Sequence, residues 1–196
     1  MTRILVVRHG QSEWNAEKRW QGQADPPLSP LGVEQARAAA RRVGGVDLVV
    51  ASDLERARHT AEIIADEIGV GPVIVDEGFR ERGAGEWQGL TRDEIEDRYP
   101  GHLDEGRRPP GWEPEDTFRV RVLDALERAR ARAAGGEVLV VAHGGVVYTL
   151  EAHLGAPFER IANLAGRWFV HGDGGWELGE RIHLAPEVAP APPDLL

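Results

Sequence analysis

"LVVRHGQSEWN", residues 5–15, decides the reading of this chain. Apolar β-formers run straight into an arginine, a histidine and a glycine. An apolar run without alternation suits a strand covered on both faces, as in a parallel sheet. The stretch therefore predicts a cation and a titratable imidazole at the end of a buried strand. "VLVVAHGG", residues 138–145, repeats the pattern, so a second strand also ends in His-Gly. "VDLVVA", residues 46–51, is a third run of the same kind.

Helical patterns separate these runs. Ser29 reads as an N-cap with Pro30 at the first helical position, opening an Ala-rich helix to Arg42. "SDLE", residues 52–55, reads as a capping box from Ser52 to Glu55. The helix it opens puts Leu54, Ala57, Ala61, Ile64 and Ile68 on one face and stops at Gly69. A third helix is expected over 115–134, with Phe118, Val122, Leu126 and Ala129 inward, and a fourth over 146–154. Residues 167–171 and 176–178 read as a late hairpin around "GDGG". This alternation predicts an α/β fold, a three-layer αβα sandwich whose mostly parallel sheet carries helices on both faces. Residues 1–184 are expected to form a single domain. Within it, the Pro/Gly-rich stretch 99–114 is expected to be a lid-like loop, and 185–196 reads as a disordered Pro-rich tail.

Composition narrows the function classes. The net charge is −10, and no dense Lys/Arg run supplies the basic face of a nucleic-acid binder. No apolar run approaches the roughly 20 residues that span a bilayer, so no membrane partner is expected. Cysteine is absent, which removes disulfides and thiolate metal sites. The chain enters its first strand without a signal-peptide pattern, and a cytoplasmic location is expected. Oligomeric state is left open, a homodimer among the options. A field of −10 repels anions at long range, so an enzyme for phosphate esters needs a local cluster of arginines.

Such a cluster is present in the pattern. Ligands of open α/β sheets bind outside the carboxyl ends of the strands. Arg8 and His9 end the first strand, Arg56 lies in the first turn after the second, and His143 with Gly144 ends the last long one. Taken singly, each has a plainer explanation: a structural histidine, or an arginine on a solvated helix face. Together they form a pocket for a dianion, with planar bidentate donors and a helix N-terminus.

The wider pattern resembles the histidine phosphatase superfamily, in its phosphoglycerate-mutase-like branch. "RHGQSEWN" is similar to its signature, and "GQADPPLSPLGVEQA", "ASDLERARHTAEII", "FRERGAGEWQGLT" and "VVAHGG" match its later blocks in order over roughly residues 3–150. The resemblance implies that His9 is a nucleophile phosphorylated during turnover. It implies that Arg8, Arg56 and His143 bind the phosphoryl group, with Asn15, Gln21, Ser12 and Gly144 adding hydrogen bonds. Glu81 is implied as proton donor to the leaving group, although Asp76, Glu77 and Glu86 lie nearby. No metal and no cofactor are implied, and the partner is a small phosphorylated metabolite.

Chemistry is consistent with these roles. A neutral imidazole is a good nucleophile at phosphorus, and phosphoryl transfer depends mostly on positioning and charge stabilisation. An alkoxide leaving group needs a proton, which a carboxylic acid beside a phosphate dianion can give. Cofactor-dependent mutases of the family place His-Tyr-Gly after Glu-Arg, where this chain has "ERGAG", and carry a longer basic insertion. Both differences favour a small-metabolite phosphatase over a mutase, and the presence of His9, Arg56, Glu81 and His143 argues against an inactive phosphate-binding regulatory member. Pro114 stands where the family often has a capping serine. Of the paired Arg107 and Arg108, either is a candidate grip on a second anionic group, or both pair with Asp104 and Glu105 in solvent. Trp14, Trp20, Trp87 and Trp112 are candidates for the mouth or for core packing.

Overall fold

The structure is a computed structural model, and residues 1–188 of it are described. Six strands form one sheet: β1 (Thr2–Arg8), β2 (Leu48–Ala51), β3 (Ile74–Val75), β4 (Glu137–Ala142), β5 (Ala165–Gly172) and β6 (Gly175–His183). Their order is β3-β2-β4-β1-β5-β6. β3, β2, β4 and β1 run parallel, and β5 and β6 add an antiparallel edge. The helices are α1 (Glu13–Ala16), α2 (Pro30–Ala40), α3 (Glu55–Ile68), α4 (Arg92–Arg98), α5 (Glu115–Ala133) and α6 (Gly144–His153).

Side chains of a strand alternate between faces, and here both faces are covered. Leu5, Val7, Leu139 and Val141 pack with Ala57, Ala61 and Ile64 of α3. Ile4, Val6, Val138 and Val140 pack with Phe118, Val122 and Leu126 of α5 and with Val147 and Leu150 of α6. This double coverage is why the strands read as continuous apolar runs. The three-layer α/β expectation therefore holds, with a sheet that is mixed at one edge.

The elements match the sequence reading with local differences. Ser29 caps α2 through Gly32 N–H at 3.1 Å. The capping box at 52–55 does not form: the N-cap of α3 is Leu54, and no side chain caps it. Ser52 is instead fully buried, turned toward His143. α5 likewise begins after Pro114 without a side-chain cap. α6 opens at Gly144 rather than at 146. The late hairpin is longer than its apolar core, because its outer positions are polar and carry no pattern.

In two stretches expected to be flexible, the described residues make defined contacts. The candidate lid at 99–114 forms turns over its first half, and Ala84 bridges Trp112 in its second. Glu86 N–H bonds Pro110 O at 3.1 Å and Glu113 N–H bonds Gly83 O at 2.9 Å, so this half is a wall. Of the tail expected at 185–196, Ala185 is buried, Val188 packs on the core and Glu187 pairs with Arg42. Composition alone misplaced that boundary, and 189–196 lie outside the described residues. No described helix is long and apolar enough to cross a membrane.

One close approach holds the loop after β1. A Cβ on Gly32 would lie 2.0 Å from Gln11 O, and one on Gly10 would lie 2.7 Å from Gly32 O. The start of α2 therefore packs backbone against backbone on the residues next to His9. Gly→Ala within a helix ordinarily stabilises by up to about 1 kcal/mol. Gly32→Ala is expected to do the reverse and cost about 1–3 kcal/mol by overpacking, read from the midpoint of urea unfolding.

Candidate active site

β1 and β4 pair in parallel with Arg8 opposite Ala142. Both strands thus end at the same level, and the next residue of each is a histidine. His9 N–H bonds Ala142 O at 3.0 Å, and the His9 and His143 rings stand 5.2 Å apart, edge to face. Both are buried, at 2% and 0% exposure.

The backbone around His9 is tied from several elements. Asn163 Nδ2 donates to His9 O at 2.9 Å, and Gly10 N–H donates to Thr60 Oγ1 at 3.1 Å. His9 Nδ1 lies 2.6 Å from Gly10 O. A carbonyl only accepts, so Nδ1 carries the proton and Nε2 keeps its lone pair. Arg56 Nε donates to that Nε2 at 3.2 Å. Burial first, and the Arg56 charge next, hold the His9 imidazole well below its ordinary 6.5. His143 is lowered in the same way and from the same leading causes. Its Nε2 is 2.9 Å from Ser52 Oγ, while its Nδ1 is buried without a hydrogen-bond partner.

Arg56 is fully buried in the first turn of α3. Its Nη1 donates to Ala24 O at 2.7 Å and its Nη2 to Gly22 O at 2.9 Å. Burial pushes its pKa down to about 10, so it remains a cation at neutral pH. Arg8 donates to Ile161 O at 3.1 Å, and burial lowers it too. Carbonyls help to orient both guanidiniums without neutralising them.

Glu81 faces them from a loop. Its Oε2 accepts from Gly145 N–H at 3.0 Å and its Oε1 from Arg82 N–H at 2.7 Å. It therefore sits on the N-terminal turn of α6. A Cβ on Gly145 would lie 2.2 Å from Glu81 Oε1, so only glycine lets the carboxyl lie there. The two glycines of "HGG" divide the work: Gly144 opens the helix and Gly145 admits the acid.

A cavity of about 480 Å³ has Arg8, His9, Gln21, Arg56, Glu81 and Gly144 on its wall, while His143, fully buried, is not on it. Ser12 and Asn15 are not on that wall. They form a reciprocal cap on α1, in which Asn15 N–H donates to Ser12 Oγ and Ser12 N–H to Asn15 Oδ1, both at 3.1 Å. Ser12 Oγ in turn donates to Gln21 Oε1 at 2.7 Å, which ties the cap to the cavity. Among the described residues, no group of three or more His, Asp or Glu side chains is placed to hold a metal ion.

The mouth was only partly legible in the sequence. Trp20 and Trp112 line it, whereas Trp87 is buried behind them, edge-on to both. Arg107 pairs with Glu105, but Arg108 turns to the cavity and lies over the Trp112 ring at 4.6 Å. Tyr148, Phe158 and Ile161 supply an apolar wall that no motif announced. Thr60 and Asn163 also escape a reading of the residues alone. Thr60 was findable, because it falls one helical turn after Arg56. Asn163 lies in an irregular stretch before an antiparallel strand and carries no pattern.

Residues 4–179 match the family described as the histidine phosphatase superfamily, branch 1. The chain belongs to that family. It is an enzyme of the histidine phosphatase type. A glucosyl-3-phosphoglycerate phosphatase of Mycolicibacterium vanbaalenii is 39% identical over 84% of this chain and 79% of its own length. A 2,3-bisphosphoglycerate-dependent phosphoglycerate mutase of Methylorubrum extorquens is 38% identical over 84% of this chain and 85% of its own. The structure of a mycobacterial glucosyl-3-phosphoglycerate phosphatase, in complex with VO3, superposes with a TM-score of 0.83 at 31% identity, covering 91% of this chain and 97% of that one.

The neutral histidines carry a stability consequence. In the unfolded chain each imidazole takes up a proton below about pH 6.5; in the folded chain His9 and His143 do not. The unfolded state then binds more protons, so stability is complete above that pH and falls as pH drops below it. The expected slope is up to about 1.4 kcal/mol per pH unit for each histidine. Urea unfolding between pH 7 and pH 5.5 measures it, and His143→Gln should flatten the slope.

Proposed function

We propose that this enzyme is a metal-independent phosphomonoesterase for small phosphorylated metabolites, working through a phosphohistidine on His9. One observation carries the proposal: the proton of His9 sits on Nδ1 against Gly10 O, leaving the Nε2 lone pair in a pocket with two buried guanidiniums. Nε2 gives up its hydrogen bond from Arg56 Nε and attacks phosphorus, and the bond to the ester oxygen breaks. Glu81 gives its proton to the departing alkoxide. Arg8, Arg56 and the unpartnered His143 Nδ1 stabilise charge on the equatorial oxygens. Water then attacks the phosphohistidine, Glu81 takes back a proton, the P–N bond breaks, and inorganic phosphate leaves.

The residues just after Glu81 favour hydrolysis over mutase chemistry. Gly83 and Ala84 offer no imidazole or phenol, and Ala84 is buried against Trp112. The mutase relative keeps the alternative alive, and interconversion of phosphoglycerates stimulated by a bisphosphate would establish it. For hydrolysis by this route, turnover of p-nitrophenyl phosphate should survive EDTA. His9→Ala should abolish it with the fold intact by circular dichroism. The trapped adduct should be acid-labile and alkali-stable; an acid-stable adduct would move the nucleophile away from histidine.

The mouth narrows the substrate class. Arg108, stacked on Trp112, forms no ion pair with a carboxylate of the described residues and faces the cavity. It suits a second anionic group, such as a carboxylate, while Trp20 and Trp112 offer faces for a sugar ring. A glucosylated phosphoglycerate, the substrate class in the names of two relatives, has these features. Arg108→Ala should raise KM for a carboxylated phosphate ester about tenfold or more, the loss of one charge-assisted contact. It should leave p-nitrophenyl phosphate nearly unchanged, and Arg107→Ala should be silent on both.

A further inference from the structure

Glu81 sits on a segment with little regular structure. After the 3₁₀ turn Glu77–Phe79, residues 80–84 make no strand or helix. Irregular backbone holds a catalytic group in place only if its own N–H and C=O groups are tied. Here most of the ties come from one side chain of α5, and Gln23 Nε2 adds one to Glu81 O at 3.1 Å. Arg121 Nη1 donates to Gly78 O at 3.0 Å and to Arg80 O at 2.8 Å, and Nη2 donates to Glu81 O at 2.9 Å. Its remaining N–H groups form a fork on Glu113, Nε to Oε1 at 2.7 Å and Nη2 to Oε2 at 2.8 Å. All five guanidinium donors are used. Glu113 Oε2 also accepts from Gly83 N–H at 2.9 Å, so the fork grips the segment on both sides of Glu81.

We infer that Arg121 is a positioning residue for the proton donor: it holds the 78–81 backbone so that the Glu81 carboxyl stays on the N-terminal turn of α6. The inference rests on the proposed role of Glu81. Arg121 is not on the cavity wall, so it acts through the backbone and not on substrate. Its side chain is 22% exposed and its Glu113 partner 14%, so water competes little for these bonds. It also lies over the Phe118 ring at 4.6 Å, which restricts its rotamers. Two helical turns on, Arg128 forks onto Asp76 at 2.8 and 2.7 Å, and Asp76 Oδ1 accepts from Gly78 N–H at 3.0 Å. The same helix thus anchors the segment at its start and at its catalytic end. A lysine at 121 keeps the charge but has three donors on one atom and cannot span three carbonyls and a carboxylate.

A displaced acid has a specific kinetic signature. p-Nitrophenolate is a weak base and leaves without a proton, whereas the alkoxide of β-glycerophosphate does not. Loss of protonation therefore lowers kcat/KM for the alkyl ester and spares the aryl ester. A merely structural defect lowers both alike. The test compares wild type, Arg121→Met, Arg121→Lys, Glu113→Gln and Glu81→Gln on both esters, with thermal unfolding as the check on folding. Arg121→Met is expected to lose about 10- to 100-fold on β-glycerophosphate, part of the roughly 10²–10⁴-fold that a positioned acid supplies. It is expected to lose less than about threefold on p-nitrophenyl phosphate, where no such acid is needed. Arg121→Lys and Glu113→Gln should show the same selectivity more weakly, and they carry the comparison should Arg121→Met not fold. Equal losses on the two esters, or none, alongside a selective Glu81→Gln would overturn the clamp alone. A Glu81→Gln variant without selectivity would overturn the proton-donor role, and the clamp with it.

Discussion

The register of two parallel strands governs this site. Arg8 of β1 pairs with Ala142 of β4, so the two histidines next in sequence are neighbours. A slip of one residue would turn every side chain of β1 to the other face and separate the rings. Register is secured by burial on both sides: the alternate residues of β1, Ile4 and Val6 against Leu5 and Val7, are all at 0% exposure. The cost of a slip is the repacking of both close-packed faces, since each of these side chains fits its own place in the core. His9 is therefore placed by the core and not by the loop that follows it. The loop only has to avoid disturbing that placement, and the glycine contact between Gly10 and Gly32 lets α2 close over it.

Charge is distributed to keep the pocket positive inside a protein of net charge −10. Two carboxylates that pair strongly do so off the cavity wall, Asp76 with Arg128 and Glu113 with Arg121. Arg56 meets carbonyls and an imidazole in their place. Carbonyl dipoles offset part of the desolvation of a buried guanidinium without cancelling its charge. The same burial keeps the two histidines neutral. Cationic arginines beside neutral imidazoles are what a nucleophilic nitrogen facing a dianion requires. At physiological salt the Debye length is about 8 Å, so the surface charge is screened and the pocket acts on its own.

Much of this could be read from residues alone, and the exceptions share a cause. Continuous apolar runs identified β1, β2 and β4, and the His-Gly echo located the site at their ends. Helix faces were legible where their period was apolar, as for Ala57, Ala61 and Ile64. Ser52 defeats a local reading because a capping box is a local pattern, while its hydroxyl is taken by His143 from a distant strand end. The resemblance gave Asn15 a role in substrate binding, yet two of its bonds close a cap on α1. Asn163 and Arg121 were invisible because the backbone carbonyls they hold lie far along the chain. Arg107 and Arg108 are a pair in sequence, and only the turn at 99–106 sends one to Glu105 and the other to Trp112.

The two groups proposed to react are thus held by different physics. His9 is fixed by a strand ladder and a packed core, which tolerate little change. Glu81 is fixed by side chains reaching to an irregular segment, which tolerates substitution one bond at a time. The rim of the cavity at Arg108 and Trp112 belongs to the neighbouring irregular stretch. Residues there can change without moving either histidine. On the proposed mechanism, the nucleophilic half of the chemistry is common to any chain with this register, while the fate of the leaving group is set by loops. This is a physical reason for relatives of similar identity to bear the names of a phosphatase and a mutase.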